Sequence, residues 1–389
     1  MNLVCNVVGA RPNFMKMAPI VTEMRRRGIP QLFVHTGQHY DRQMSELFFE
    51  ELGLPAPDVY LGVGAGSQAV QTGRIMMAFE EVCLLKQPSV VVVAGDVNST
   101  LACALAASKL HIPVAHVEAG LRSFDRAMPE ETNRVLTDHL ADLHFCTESS
   151  AIDNLLAEGI SFEKVFFVGN CMIDSLWAHL EKAVARRPWE RFGYRTGNYG
   201  LVTLHRPSNV DDEETFHEVA EALSELSKVM PLLFPAHPRT QDRIKRSNLT
   251  FGATVLVEPM GYLDFLGLMA KARLVLTDSG GIQEETTALG IPCITLRNNT
   301  ERPVTVEKGT NQLVGTSREG IVSAGLAAWK RNRCNRKIPE LWDGKAAGRI
   351  VDVIERWLSI KCGHATASAH SPPQQVPEFR DSDGPTNGF

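Results

Sequence analysis

At 389 residues, 44% of them apolar and 22% charged, the chain is too long for one small module and too apolar for a disordered or fibrous protein. Forty basic against forty-five acidic residues leave a net charge of −5, which gives no electrostatic footprint for nucleic acid or a membrane surface. No run approaches the ~18 consecutive apolar residues of a membrane span, and the opening MNLVCNVVGA, without a basic n-region, reads as a buried strand and not as a signal peptide. Eight cysteines stand apart with no C-x-x-C, so reduced, buried thiols in a cytoplasmic protein are expected.

In chain order, short Val-, Ile- and Leu-rich runs lie at 4–8, 32–35, 90–94, 113–117 and 143–146, then at 165–168, 201–204, 231–235, 254–257, 274–277 and 292–296. Helical spacing covers 17–27, 45–52, 68–85, 100–110, 131–140 and 213–229. Near-continuous apolar strands alternating with helices imply α/β architecture with parallel sheets covered on both faces. Eleven strands are many for one open sheet, so two doubly wound, Rossmann-like domains facing a cleft are expected. The boundary falls near 167–169, giving an N-terminal domain over 1–168 and a C-terminal one over 169–341. Residues 181–200 read as a surface connection and 342–360 as a terminal helix. The stretch 361–389, rich in Ser, Pro, Gly and His, reads as a disordered tail.

Ligands of open parallel sheets sit beyond the carboxyl ends of the strands, which is where chemistry is sought. The first run ends in Gly9-Ala10-Arg11-Pro12-Asn13-Phe14-Met15-Lys16. Gly9 permits a tight turn, Arg11 offers a planar fork for phosphate or carboxylate, and Lys16 follows a turn later near a helix start. The plain alternative is a pair of solvated basic residues. Asp96, Glu118 and Glu130 leave strand ends or adjoining loops in succession, an arrangement suited to removing and delivering a proton from different sides of a substrate. Singly, Asp96 also reads as a helix cap, Glu130 as a helix opener and Glu118 as a partner of Arg122.

In the second half, His205-Arg206 follows a strand and is able to neutralise a leaving phosphate; His237 is a weaker candidate. The run at 278–285, DSGGIQEE, combines Ser279 as a helix cap with Gly280-Gly281, which let the backbone close on a pyrophosphate. Glu285, about a turn on, is placed to accept both hydroxyls of a ribose. The glycines at 62–66 have the wrong spacing for a dinucleotide loop, and the twelve histidines form no metal pattern, so neither metal nor cofactor is expected.

Taken in order, GARPNFMKMAP, TGQHYD, GDVNST, HVEAGLRS, MPEETNR, the LHR at 204–206, DSGGIQEE and NNTERP resemble the non-hydrolysing UDP-N-acetylglucosamine 2-epimerases, from residue 9 to about 357. The resemblance implies a glycosyltransferase B type fold, the nucleotide mostly on the second domain, a terminal helix crossing back to the first, and a homodimer. By motif position it implies an active-site set of Arg11, Lys16, Asp96, Glu118, Glu130 and His205. It implies a UDP-binding set of Ser279, Gly280, Gly281 and Glu285, with Arg302 beside it. The implied reaction interconverts UDP-N-acetylglucosamine and UDP-N-acetylmannosamine by eliminating UDP to a 2-acetamidoglucal and adding it back. This chain has Ala10-Arg11-Pro12-Asn13 where members often have Thr-Arg-Pro-Glu, and His205-Arg206-Pro207-Ser208-Asn209 where His-Arg-Arg-Glu-Asn is common. A hydrolysing epimerase, and a UDP-sugar transferase or binding protein of the same fold, stay open as alternatives.

Overall fold

The computed structural model describes residues 2–38, 42–236, 238–247, 249–331 and 337–368, without the side chains of 42–46, 238–239 and 361–368. His39 to Asp41 and His237 therefore lie outside the described residues. The chain forms two compact units, Met1–Val351 and Asp352–Phe389, and the first contains both sheets.

The first sheet is built from β1 (Val4–Val8), β2 (Gln31–His35), β3 (Val59–Tyr60), β4 (Val90–Ala94), β5 (Val114–Val117), β6 (Leu143–Cys146) and β7 (Val165–Phe167). Its order is β3-β2-β1-β4-β5-β6-β7 with every pairing parallel. The second holds β8 (Gly200–Thr203), β9 (Leu232–Pro235), β10 (Val255–Val257), β11 (Leu274–Thr277), β12 (Cys293–Thr295) and β13 (Asn311–Leu313). Its order is β10-β9-β8-β11-β12-β13, again parallel throughout. These are two Rossmann-like lobes of the glycosyltransferase B type. Apolar character on both faces follows from helices on both sides: β1, β4, β5 and β6 are buried at every position.

In each sheet the strand order reverses between the first strand and its later neighbour, β1 beside β4 and β8 beside β11. That switch point opens a crevice at the carboxyl edge. Register decides what meets there. Thr203 lies beside Thr277, so the chains leaving β8 and β11 run out together as His205 and Asp278.

Two edge strands escape the apolar-run criterion, β3 with two residues and β13 with three. The first helix runs over Arg11–Arg26, not from residue 17, because Pro12 is tolerated in a first turn and the Asn13 side chain accepts from Ala10 N at 3.2 Å. The last helix spans Ala346–Ser368 and so starts later and ends later than 342–360. Asp174 caps its start, accepting from Ala346 N at 3.1 Å and Ala347 N at 2.8 Å. Residues 361–368 contain two alanines and no proline, which lets the helix continue into the stretch read as a tail; residues 369–389 lie outside the described residues. Six cysteines, Cys5, Cys83, Cys103, Cys146, Cys171 and Cys293, are free and buried. No helix among the described residues is long and apolar enough to cross a membrane.

Candidate active site

The carboxyl edges of the two sheets line one cleft, a cavity of about 1040 Å³ bounded from the first lobe by Lys16, Asp96 and Glu130, among others. From the second lobe come His205, Arg206, Ser279, Gly280, Gly281 and Arg302. Glu118 lies just behind this lining, in contact with two of its cations. Arg11 and Glu285 are set apart from it: the Arg11 guanidinium lies over the Phe48 ring at 5.7 Å, and Glu285 accepts from the Tyr262 hydroxyl at 3.2 Å.

The turn after β1 is fixed by crowding. A Cβ on Gly9 would stand 2.0 Å from Ser99 Oγ, so only glycine passes there. Asn13 then donates to the Ala94 carbonyl at 2.7 Å and anchors the helix to β4. This aims the buried Lys16 at Glu118, with Nζ 2.8 Å from Oε1. The same Oε1 receives Arg302 Nη2 from the second lobe at 3.1 Å. Glu118 Oε2 is buried with no hydrogen-bond partner among the described residues. Arg122, the expected partner of Glu118, instead pairs with Asp138 and Glu158, each at 2.7 Å.

Asp96 is paired with Arg134. Burial pushes its carboxyl up, but Arg134, Lys16 and Arg302 outweigh that and hold it below the usual carboxylate range. Glu130 sits in the first turn of the helix Pro129–Leu140, half-buried at the cleft wall, while its neighbour Glu131 turns away to accept from Ser123 N and Phe124 N, both at 2.9 Å.

On the second lobe, Asp278 is fully buried and organises the loop after β8. It accepts from His205 N at 3.0 Å and Arg206 N at 2.9 Å, and His205 Nδ1 stands 2.8 Å from its Oδ1. Burial pushes Asp278 up, and His205 with the two backbone donors more than offsets it, so the carboxyl lies below its ordinary value. Ser279 is the N-cap residue of the helix Gly280–Leu289 by position, but its side chain makes no capping hydrogen bond. The expected cap is absent, and Ser279, Gly280 and Gly281 line the cleft at a helix start, where an anion is favoured. Gly280 has a second reason to be glycine: a Cβ there would meet Arg302 Nη1 at 2.5 Å.

Arg302 stands at the centre. Besides Glu118 it contacts Glu284 through Nε at 2.9 Å and Glu301 through Nη1 at 3.1 Å. Glu301 also takes Arg206 at 3.1 Å and Arg297 at 2.9 Å, and these cations overcome its burial and drive its carboxyl well down. Burial dominates instead at Glu284, pushed up to about 7, and at Glu285, pushed up to about 8. Asp278, Glu301, Arg297 and Arg134 were not singled out from sequence. Asp278 offered one signal, an acid at the end of a strand, as Asp96 stands two residues past β4.

A model of the family described as UDP-N-acetylglucosamine 2-epimerase matches residues 22–355. The UDP-N-acetylglucosamine 2-epimerase of Methanocaldococcus jannaschii is 44% identical over 358 residues, covering 90% of this chain and 97% of its own. The UDP-2,3-diacetamido-2,3-dideoxy-D-glucuronate 2-epimerase of Pseudomonas aeruginosa is 44% identical over 360 residues, covering 91% and 99%. The crystal structure of the M. jannaschii enzyme in complex with UDP-GlcNAc and UDP superposes with a TM-score of 0.86, covering 92% of this chain and all of that one. With this fold and this cleft, the chain belongs to the UDP-N-acetylglucosamine 2-epimerase family.

Proposed function

We propose that the protein interconverts UDP-N-acetylglucosamine and UDP-N-acetylmannosamine without hydrolysis. The observation that carries this reading is the meeting of acids from one lobe with cations and a helix N-terminus from the other around one cavity. A hydrogen at C2 of the sugar has no adjacent carbonyl to acidify it, so direct deprotonation is too costly. Breaking the C1–O bond instead sends the electron pair to the departing diphosphate and builds positive charge at C1. Arg206, Arg302, His205 and the Ser279–Gly281 helix start stabilise the leaving UDP. Because Asp278 engages His205 Nδ1, Nε2 is the nitrogen left for a phosphate oxygen. One of Asp96, Glu118 and Glu130 takes the C2 proton to give the 2-acetamidoglucal. Return of a proton to the opposite face, with UDP re-adding at C1, completes epimerisation, and a closed cleft keeps water from intercepting the glucal.

The M. jannaschii neighbour, solved with UDP-GlcNAc and UDP, supports the choice of substrate. Incubation with UDP-N-acetylglucosamine in deuterated water is expected to place deuterium at C2 of both recovered sugars. Retained protium through many turnovers would refute the reading, and accumulation of free UDP with N-acetylmannosamine would assign a hydrolysing enzyme. The equally similar P. aeruginosa relative makes the diacetamido-glucuronate the necessary second substrate in that assay.

Two further parts belong to this reading. The nucleotide-sugar chemistry and the free buried thiols fit the cytoplasm. The helix Gln68–Lys86 exposes Val70, Met77 and Leu84 at seven-residue spacing, with Leu85 beside them, a face suited to a second copy of the chain.

A further inference from the structure

Behind the carboxylates that leave β4 and β5 lies a buried charged cluster with no opening to the cleft. His116 and Asp138 have no exposure, and the Arg122 side chain almost none. His116 is on β5, two residues before Glu118. Its Nδ1 lies 2.6 Å from Asp138 Oδ1, and its Nε2 lies 2.8 Å from the carbonyl of Gly95, the residue before Asp96. The ring thus bridges the Asp138 carboxylate and the Gly95 carbonyl. Asp138 Oδ2 accepts from Gly120 N at 3.0 Å, two residues after Glu118, and pairs with Arg122 at 2.7 Å. Burial pushes Asp138 up, but His116 and Arg122 outweigh it and keep it a carboxylate below its ordinary value. One connected network thus grips the turn that carries Asp96 and the turn that carries Glu118.

Those turns need gripping. Gly95, Glu118 and Gly120 have φ of +67°, +69° and +81°. For glutamate the left-handed region is strained and persists only where the surroundings over-determine it. The Phe145 carbonyl accepts from Glu118 N at 3.0 Å and supplies part of that hold. Apolar residues of similar volume would fill the space without desolvating an ion pair, but they would neither receive the Gly120 N–H nor reach the Gly95 carbonyl.

We propose that His116 and Asp138 are positioning residues that fix Asp96 and Glu118 relative to each other. The proposal rests on the reading that these two carboxylates work at the C2 centre. His116→Asn keeps a donor at the Nδ1 position and removes the one to Gly95, whereas His116→Gln reaches the Nε2 position and removes the one to Asp138. With the variant folded by near-UV circular dichroism, His116→Asn is expected to lose about 10- to 100-fold in kcat, with KM within about threefold, since misplacement of reacting groups by an ångström has that effect. Deuterium entry at C2 falls by the same factor, and His116→Gln recovers part of the loss. A folded His116→Asn with unchanged kcat, or a loss confined to KM, overturns the proposal. So does failure of both variants to fold, which would make the network a folding element. Absence of exchange in the unaltered enzyme refutes the functional reading instead, before any variant is compared.

Discussion

Arg302 holds three carboxylates with one guanidinium, and each comes from a different part of the chain: Glu118 from the first lobe, Glu284 from a helix of the second, Glu301 from its own loop. A planar fork does this where an ammonium cannot. Arg302→Met strands buried charge and is expected to cost about 3–5 kcal/mol in urea denaturation. Arg302→Lys keeps the charge but reaches fewer partners, so a smaller stability loss with a larger loss of turnover is expected. Glu285 gives a second test. Burial raises its folded pKa from 4.5 to about 8, so the folded state binds the proton more tightly than the unfolded chain. Its stability contribution is complete below 4.5 and is lost as pH rises to 8. Glu285→Gln should therefore flatten the stability profile across that window by up to about 1.4 kcal/mol per pH unit; an unchanged slope in denaturant titrations at pH 5, 6, 7 and 8 would show that Glu285 does not titrate there. At this scale the sequence motifs named most cleft residues but not their company. His205 and Asp278 are 73 positions apart, and only the β8–β11 register puts them together.

Among the elements, the helix Tyr262–Lys271 is unusual in having its missing cap supplied from the other lobe. Gly261 occupies its N-cap position and has no side chain to offer, so Glu51 of the helix Arg42–Leu52 accepts from Leu263 N at 3.2 Å. Its other oxygen takes Arg186 at 2.8 Å. A Cβ on Gly261 would stand 2.7 Å from Glu51 Oε2 and push the carboxylate away. Glu51→Ala and Gly261→Ala should each cost about 1–2 kcal/mol, and the double variant should cost little more than Glu51→Ala alone, because both remove the contact to Leu263 N and only Glu51→Ala also loses the Arg186 pair. Additive losses in thermal unfolding would separate them. None of this is legible in sequence, where Gly261 is an ordinary turn glycine and Glu51 an exposed-looking acid in a helix. Strong apolar runs gave the central strands, because burial on both faces leaves a plain signature. The short edge strands β3 and β13 carry none: β3 is half-exposed at Val59 and exposed at Tyr60, and β13 reads Asn-Gln-Leu.

The whole molecule divides its labour between lobes, acids from the first and most anion-binding groups from the second, and this division sets what loss of assembly should do. The exposed ridge of Gln68–Lys86 is about 28 Å long at 1.5 Å per residue, too narrow by itself for the ~800 Å² per partner that a stable dimer buries. It does not stand alone: Asn98–Lys109 packs against both it and Pro129–Leu140, whose Leu136 is also exposed. Met77 is 60% exposed, so Met77→Asp removes nothing from the core and introduces a charge at the centre of the ridge. Sedimentation velocity is expected to show a dimer for the unaltered protein and a monomer for Met77→Asp. UDP affinity should be unchanged, because the groups proposed to grip the diphosphate lie on the other lobe. A variant that stays dimeric would move the interface elsewhere, and one that loses UDP together with assembly would show that the two lobes are coupled through this face.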